Sequence, residues 1–331
     1  MHKPIRDTFL VFGSPMIEEP EIEEALACLR SGWISTGPRV GKFEEMFRAY
    51  VGAKHARALS SCTAGLHLSM LVSGLIPVHL AGRPCDMDPL LEIAREHKLI
   101  VIGDAAHAIE AVYYGRKIGT ISDLTCFSFY ATKNVVTGEG GMVTTDNDEW
   151  AEKIEMYGLH GLNKGAWRRY SDEGFKHYEV VYPGYKYNMT DMQAALGIHQ
   201  LPRIEAYLKR REEIWKRYDD AFRGLPVITP APPDPNTKHA RHLYTLLIDV
   251  DAVGKSRDEI QQALHRENIG TGIHFSSVHL HEYYREQYGY KRGDFPNAEY
   301  ISDRTISLPL SAKLTDGDVG DVIAAVRKVL T

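Results

Sequence analysis

Wound at 3.6 residues per turn, residues 18–31 bring Ile22, Ala25, Leu26 and Leu29 onto one face, which predicts an amphipathic helix. Gly32 ends it, and the turn-rich run Gly32-Trp33-Ile34-Ser35-Thr36-Gly37-Pro38 follows. Residues 43–50 are again helical in pattern, and 56–60 form a short strand. The Ser60-Ser61-Cys62-Thr63-Ala64-Gly65 turn then opens a helix over residues 66–72.

Two apolar runs, 76–79 and 99–103, flank a helical pattern at 87–97. Strand, helix and strand in that order specify a parallel sheet. Strands at 124–129 and 141–145 extend it, and helices are expected over 150–157 and 192–222. The second is interrupted at Pro202, whose ring cannot continue the hydrogen-bond ladder. The five prolines of residues 226–235 make a stiff connector rather than an element. Beyond it come a strand at 243–250, a helix at 257–267, a strand at 269–275 and a closing amphipathic helix at 315–330. This is an α/β pattern. With 331 residues it calls for two cores, a large domain (1–225) and a smaller C-terminal α+β domain (226–331).

Charge and cysteine usage narrow the classes. A formal net charge of -5, from 39 basic and 44 acidic residues, gives no electrostatic reason to expect nucleic acid or an acidic membrane as partner. Four scattered cysteines (Cys28, Cys62, Cys85, Cys126) form no CxxC pair and read as free thiols of a reducing compartment. The first twelve residues lack the long apolar core of a signal peptide, and no run reaches the roughly 20 apolar residues of a membrane span. A cytoplasmic protein is expected.

Ligands of open parallel sheets sit beyond the carboxyl ends of the strands. Asp104 stands at such an end, Ser128 to Lys133 stand just past another, and the Ser61–Gly65 turn past a third. An acid, an amine, hydroxyls and a helix start therefore converge on one edge. Pyridoxal phosphate needs such a set: an amine for its aldehyde, a carboxylate beside its ring nitrogen, and anion-binding groups for its phosphate. Each residue alone has a plainer reading. A lone lysine is ordinarily solvated, an aspartate after a strand commonly caps a helix, and Gly138-Glu139-Gly140-Gly141 would serve as a turn.

Longer motifs decide between them. Gly103-Asp104-Ala105-Ala106-His107-Ala108, Phe127-Ser128-Phe129-Tyr130-Ala131-Thr132-Lys133-Asn134 and Gly138-Glu139-Gly140-Gly141 resemble, in order and spacing, the DegT/DnrJ/EryC1/StrS sugar aminotransferases. Matches at 31–38, 61–68, 184–191 and 270–275 extend the resemblance along almost the whole chain. It implies a fold type I transferase with a large, mostly parallel sheet, acting as a homodimer with a shared site. By the matching positions, Lys133 holds the cofactor and shuttles the proton, with pyridoxamine phosphate formed midway, and Asp104 pairs with the pyridine nitrogen. His107 lies near the ring hydroxyl; Cys62, Thr63 and Ser128 hold the phosphate, and Asn188 reaches it from the partner subunit. Thr36, His274 and His279 fall in segments that border the substrate in relatives. No carboxylate or cysteine cluster accompanies the His279-Leu280-His281 spacing, so no metal is expected.

The implied reaction moves an amino group, from glutamate, to a keto carbon of a nucleotide-linked sugar for a lipopolysaccharide, another glycan or an antibiotic. A dehydratase of the same fold would replace the lysine, and Lys133 is present. A cofactor-binding sensor without turnover is the third reading. It draws on one departure: Val72-Ser73-Gly74-Leu75 runs straight into Ile76-Pro77-Val78-His79, where relatives carry at least a βαβ unit that includes the ring-stacking aromatic residue. The expectation is that residues have dropped out of the sequence here, rather than that the chain lacks them.

Overall fold

The computed structural model describes residues 3–70, 74–162 and 179–331, and the chain forms two compact units. One comprises Pro15–Leu208 with Pro233–His242, and the other Met1–Ser14, Lys209–Pro232 and Leu243–Thr331.

In chain order the first stretch holds α1 (Glu19–Ser31), α2 (Pro38–Val51), β1 (His55–Leu59), α3 (Cys62–Ser69), β2 (Gly74–Leu75), α4 (Met87–His97) and β3 (Ile100–Asp104). It continues with β4 (Val112–Tyr113), β5 (Arg116–Lys117), β6 (Leu124–Ser128), β7 (Gly141–Thr145), α5 (Asp148–Gly158), α6 (Asp191–Gln200) and α7 (Ile204–Phe222). Then come β8 (Val227–Ile228), β9 (Thr237–Lys238), β10 (Tyr244–Ile248), α8 (Val250–Val253), α9 (Arg257–Arg266) and α10 (Glu282–Tyr288). Helix α11 (Pro296–Ser302), β11 (Thr305–Leu308) and α12 (Asp316–Leu330) complete the chain.

The larger unit is built on a five-stranded sheet in the order β1-β7-β6-β3-β2. β2, β3, β6 and β1 share one direction, and β7 alone is reversed. Its strands are buried almost throughout, which explains their continuous apolar runs. Phe43 and Phe47 of α2 pack edge-on against Phe127 and Phe129, fixing that helix on the sheet. Gly197 of α6 takes the Phe43 ring so closely that a Cβ there would lie 2.5 Å from it. The smaller unit packs α7, α9 and α12 around a three-stranded sheet, β11-β10-β8, over a core that includes Trp215, Tyr218, Tyr244, Ile306 and Val322.

Several elements differ from the sequence expectation. The edge strand expected at 76–79 is instead Gly74–Leu75, paired with Ile100 and Val101. Pro77 has no N–H to give, so the chain keeps only an isolated bridge from Val78 to Asp104. The run 269–275 is no strand: it touches neighbours singly, at Leu10 and Ser307. The proline-rich connector contains β8, and β11 carries the pairing that residues 269–275 were expected to provide. The interruption at Pro202 is a 3-10 turn, Leu201–Arg203, between α6 and α7. Helix α3 begins at Cys62, four residues before the expected start, because Ser61 caps it; the expected end at 72 lies outside the described residues.

Candidate active site

Register gathers three strand ends at one sheet edge. Gly141, the first residue of β7, pairs with Leu59 at the end of β1 and with Ser128 at the end of β6. Asp104, the last residue of β3, pairs with Cys126, two residues before Ser128. The turn into α3 follows Leu59 directly, so the helix start, Ser128 and Asp104 share this edge.

Ser61 is the N-cap of α3: its backbone is extended and its Oγ accepts from Ala64 N at 3.0 Å. The backbone N–H groups of Cys62 and Thr63 come first in the helix, where no intrahelical carbonyl can reach them and the helix dipole is positive. Cys62 is buried and Thr63 exposed. A Cβ on Gly141 would lie 2.3 Å from Ser61 C and 2.5 Å from Cys62 N, so glycine alone lets β7 approach this turn. Ser128 Oγ accepts from Tyr130 N at 3.3 Å, which leaves its own proton to donate.

Lys133 sits in the loop between β6 and β7. Phe129 N donates to Gly140 O at 2.9 Å and Thr137 N to Phe129 O at 2.8 Å, closing the loop's base. Gln200, buried in α6, clamps it: Oε1 accepts from Val136 N and Nε2 donates to Val136 O, each at 2.9 Å. Burial pushes the Lys133 amine below the ordinary lysine value, against the pull of Cys62 and Asp104. Burial also raises the Asp104 carboxyl, while the N–H of Ala106 (3.0 Å) and Lys133 draw it down. Cys62 is held as the neutral thiol, chiefly by burial and then by Cys126 and Asp104. Amine, carboxyl and thiol thus lie within one another's fields.

His107 follows on the loop after Asp104. Its Nδ1 accepts from Ala81 N at 3.1 Å, and its ring lies 4.4 Å from that of His242. Asn188 runs beside Leu59 in the same chain and donates to Thr36 Oγ1 at 2.6 Å. Asp104, Lys133, Cys62, Thr63, Ser128, His107, Asn188 and Thr36 all belong to the larger unit; His274 and His279 belong to the smaller one. There His274 Nδ1 is 2.7 Å from Ser307 Oγ, and buried His279 is paired with Glu299 at 2.9 Å. Among the described residues no three His, Cys, Asp or Glu side chains group as metal ligands, and no helix is long and apolar enough to cross a membrane. Sequence reasoning missed Gln200 and His242, and it quoted Ser61 and Asn134 within motifs without giving either a role. Only Ser61 carried a local signal, a serine opening a helix.

A carboxylate, a desolvated amine and a helix start on one edge can hold an aromatic aldehyde that bears a phosphate, and the glycine at 141 lets β7 close against that helix start. The donor set fits pyridoxal phosphate, and fold and site together define a pyridoxal-phosphate-dependent transferase with an α/β large unit. Over residues 15–75 and 73–327 the chain matches the DegT/DnrJ/EryC1/StrS aminotransferase family, and it belongs to that family of sugar aminotransferases. It is 45% identical to the spore coat polysaccharide biosynthesis protein SpsC of Bacillus subtilis, with 98% of each chain covered. The putative sugar aminotransferase Spr1654 of Streptococcus pneumoniae, in its PMP-form, superposes with a TM-score of 0.87 at 28% identity, covering 97% of this chain and 98% of that one. DesI, solved in the presence of its TDP-sugar product, superposes with a TM-score of 0.84 at 26% identity, covering 98% and 94%.

The stretch after residue 75 is short against the relatives. The alignment with SpsC runs over 382 positions against a chain of 331 residues, so at least 51 of them hold no residue of this chain. The two stretches of the family match meet at 73–75. In this sequence Leu75 is followed directly by Ile76, with β2 and the Val78–Asp104 bridge on either side.

Proposed function

We propose that the chain transfers an amino group from glutamate to a keto carbon of a nucleotide-diphosphate sugar that enters a cell-surface polysaccharide. The observation that carries this is Lys133, desolvated within the fields of Asp104 and Cys62 beside a helix start. Likeness to SpsC, a spore coat polysaccharide biosynthesis protein, supports the polysaccharide. Likeness to DesI, solved with its TDP-sugar product, supports a nucleotide-linked sugar.

When bound, pyridoxal phosphate supplies an aldehyde that takes up the amino group and a ring that accepts electrons from the substrate Cα–H bond. Lys133 Nζ would hold the cofactor and would carry the proton at the substrate carbon. Its lowered affinity for protons leaves more of the amine neutral near pH 7 than a solvated lysine would have. Asp104 keeps the ring nitrogen protonated. His107 presents Nε2–H to the ring hydroxyl, because its Nδ1 already accepts from Ala81. The Cys62 and Thr63 amides with the Ser128 hydroxyl bind the phosphate, Asn188 completes that site in the partner subunit of a homodimer, and Thr36 borders the sugar.

An absorption spectrum with added pyridoxal phosphate tests this, before and after excess glutamate, with Lys133→Ala alongside. A visible band that glutamate bleaches and that the variant never forms is expected. If no band forms with the unaltered chain, the proposal fails. A band that no amino donor bleaches would mark a cofactor-binding protein without turnover, a reading that the shortened chain after Leu75 favours.

A further inference from the structure

Beneath Lys133 and His107 lies a buried polar network that the proposed chemistry does not use. Asn134, the neighbour of Lys133, donates through Nδ2 to Glu110 Oε2 at 2.8 Å and to Ala240 O at 3.2 Å. Both partners accept, so the amide orientation is fixed and Oδ1 faces the other way. Its partner there is His242 Nδ1 at 2.9 Å, which must therefore carry a proton. The His242 ring lies against His107 at 4.4 Å, tilted by 34°.

Both histidines are also tied to one residue. Ala81 N donates to His107 Nδ1 at 3.1 Å, and Ala81 O accepts from His242 N at 3.1 Å. Ala81 has φ 58°, a left-handed conformation that a residue with a Cβ rarely adopts. That conformation aims its N–H at one histidine and its carbonyl at the other. Glu110 and Ala240 are fully buried and His242 nearly so, which keeps water from competing for these bonds.

We propose that His242 and Asn134 are positioning residues for the transamination site: together they fix the ring plane and tautomer of His107 and the seat of the Lys133 loop. The inference rests on the roles assigned above to Lys133 and His107. Neither positioning residue touches the reacting atoms. His242 acts through its ring on His107 and through its Nδ1–H on Asn134. That donor holds the Asn134 amide in register, with Glu110 and Ala240 on its far side.

Two measurements test this. Ring ¹⁵N shifts of the cofactor-free chain report which imidazole nitrogen bears the proton, and the resonances lost in the His242 and His107 variants identify each ring. His242 is expected to be protonated on Nδ1 and His107 on Nε2 only; an unprotonated His242 Nδ1 would overturn the proposal whether or not the chain binds pyridoxal phosphate. The second compares His242→Phe, which keeps a ring against His107 but cannot donate, with His242→Asn, whose amide can donate from near the Nδ1 position. His242→Phe should weaken pyridoxal-phosphate binding about tenfold, with the His107 tautomer no longer uniform. His242→Asn should restore affinity to within about threefold of the unaltered chain. Equal affinity in both variants, or His242→Asn no better than His242→Phe at matched thermal stability, would refute it. Should His242→Phe fail to fold, the ¹⁵N tautomers of the unaltered chain decide alone.

Discussion

Gly141→Ala puts the smallest possible load on the proposed phosphate site. The added Cβ would sit 2.3 Å from Ser61 C and 2.5 Å from Cys62 N and Ser61 O, all backbone atoms that no rotamer change can move. Carbon atoms pack at about 3.5 Å or more, so the Ser61–Cys62 turn and β7 must part by about 1 Å. Such a shift strains the pairing of Gly141 with Leu59 and Ser128 and stretches the 3.0 Å cap bond from Ala64 N to Ser61 Oγ. Overpacking of this kind costs about 1–3 kcal/mol and a lost cap about 1 kcal/mol more. Urea unfolding should therefore show a loss of about 2–4 kcal/mol. Titration with pyridoxal phosphate should show at least a tenfold loss of affinity, the equivalent of about 1.4 kcal/mol at the displaced helix start. Gly320→Ala is the control. Nothing lies within 4 Å of its new Cβ and the site is inside α12, so it should stabilise by about 0.5–1 kcal/mol and leave binding alone. If Gly141→Ala lost stability yet bound pyridoxal phosphate undiminished, the start of α3 would not be the anion site.

Three further perturbations separate other parts of the structure. Asp104→Asn removes the carboxylate that pulls the Lys133 amine upward, so the pH midpoint for uptake of pyridoxal phosphate, followed by its visible band, should move down; an unmoved midpoint would separate the two residues. Glu44, which accepts from Ala58 N at 2.8 Å, is pushed up to about 7 by burial. A folded-state value above the unfolded one gives stability that is complete below about pH 4.5 and lost as pH rises through about 7, up to about 3 kcal/mol. Glu44→Gln should flatten that slope in denaturant unfolding between pH 4 and 8, and a slope equal to that of the unaltered chain would refute the assignment. Gln200→Ala strands Val136 N and O in the core, each orphan costing about 1–3 kcal/mol, and thermal unfolding should fall accordingly.

The sequence was most legible where one physical signal acted alone. β6, β7 and α4 were plain from apolar runs and helical periodicity, and Asp104, Ser128 and Lys133 stood at strand ends where a ligand edge is expected. Legibility failed where pairing was decided from outside the segment. β2 took its register from Ile100 and Val101 and gave up Pro77, so the edge strand moved two residues toward the N-terminus. Residues 269–275 had strand composition but met neighbours at single bridges, while Thr305–Leu308 took the sheet position beside β10. In the site, the bonding of Gln200, Asn134 and His242 was invisible for the same reason: each bonds to a partner far along the chain, and no local pattern encodes that. Val136 is 64 residues from Gln200, and Asn134 is 108 from His242.

The return of Pro233–His242 to the larger unit has a consequence for how the chain matures on the ribosome. β4 acquires β9 as a neighbour, and Asn134 acquires Ala240 and His242, only after that short segment has been synthesised. A nascent chain that has emerged as far as Leu208 holds every strand of the five-stranded sheet, yet its lysine loop still lacks these supports. On the proposed reading the full seat of the lysine loop is thus completed late, when the last residue of a small returning segment arrives, and an abandoned translation product that stops short of it would carry the motif without these supports.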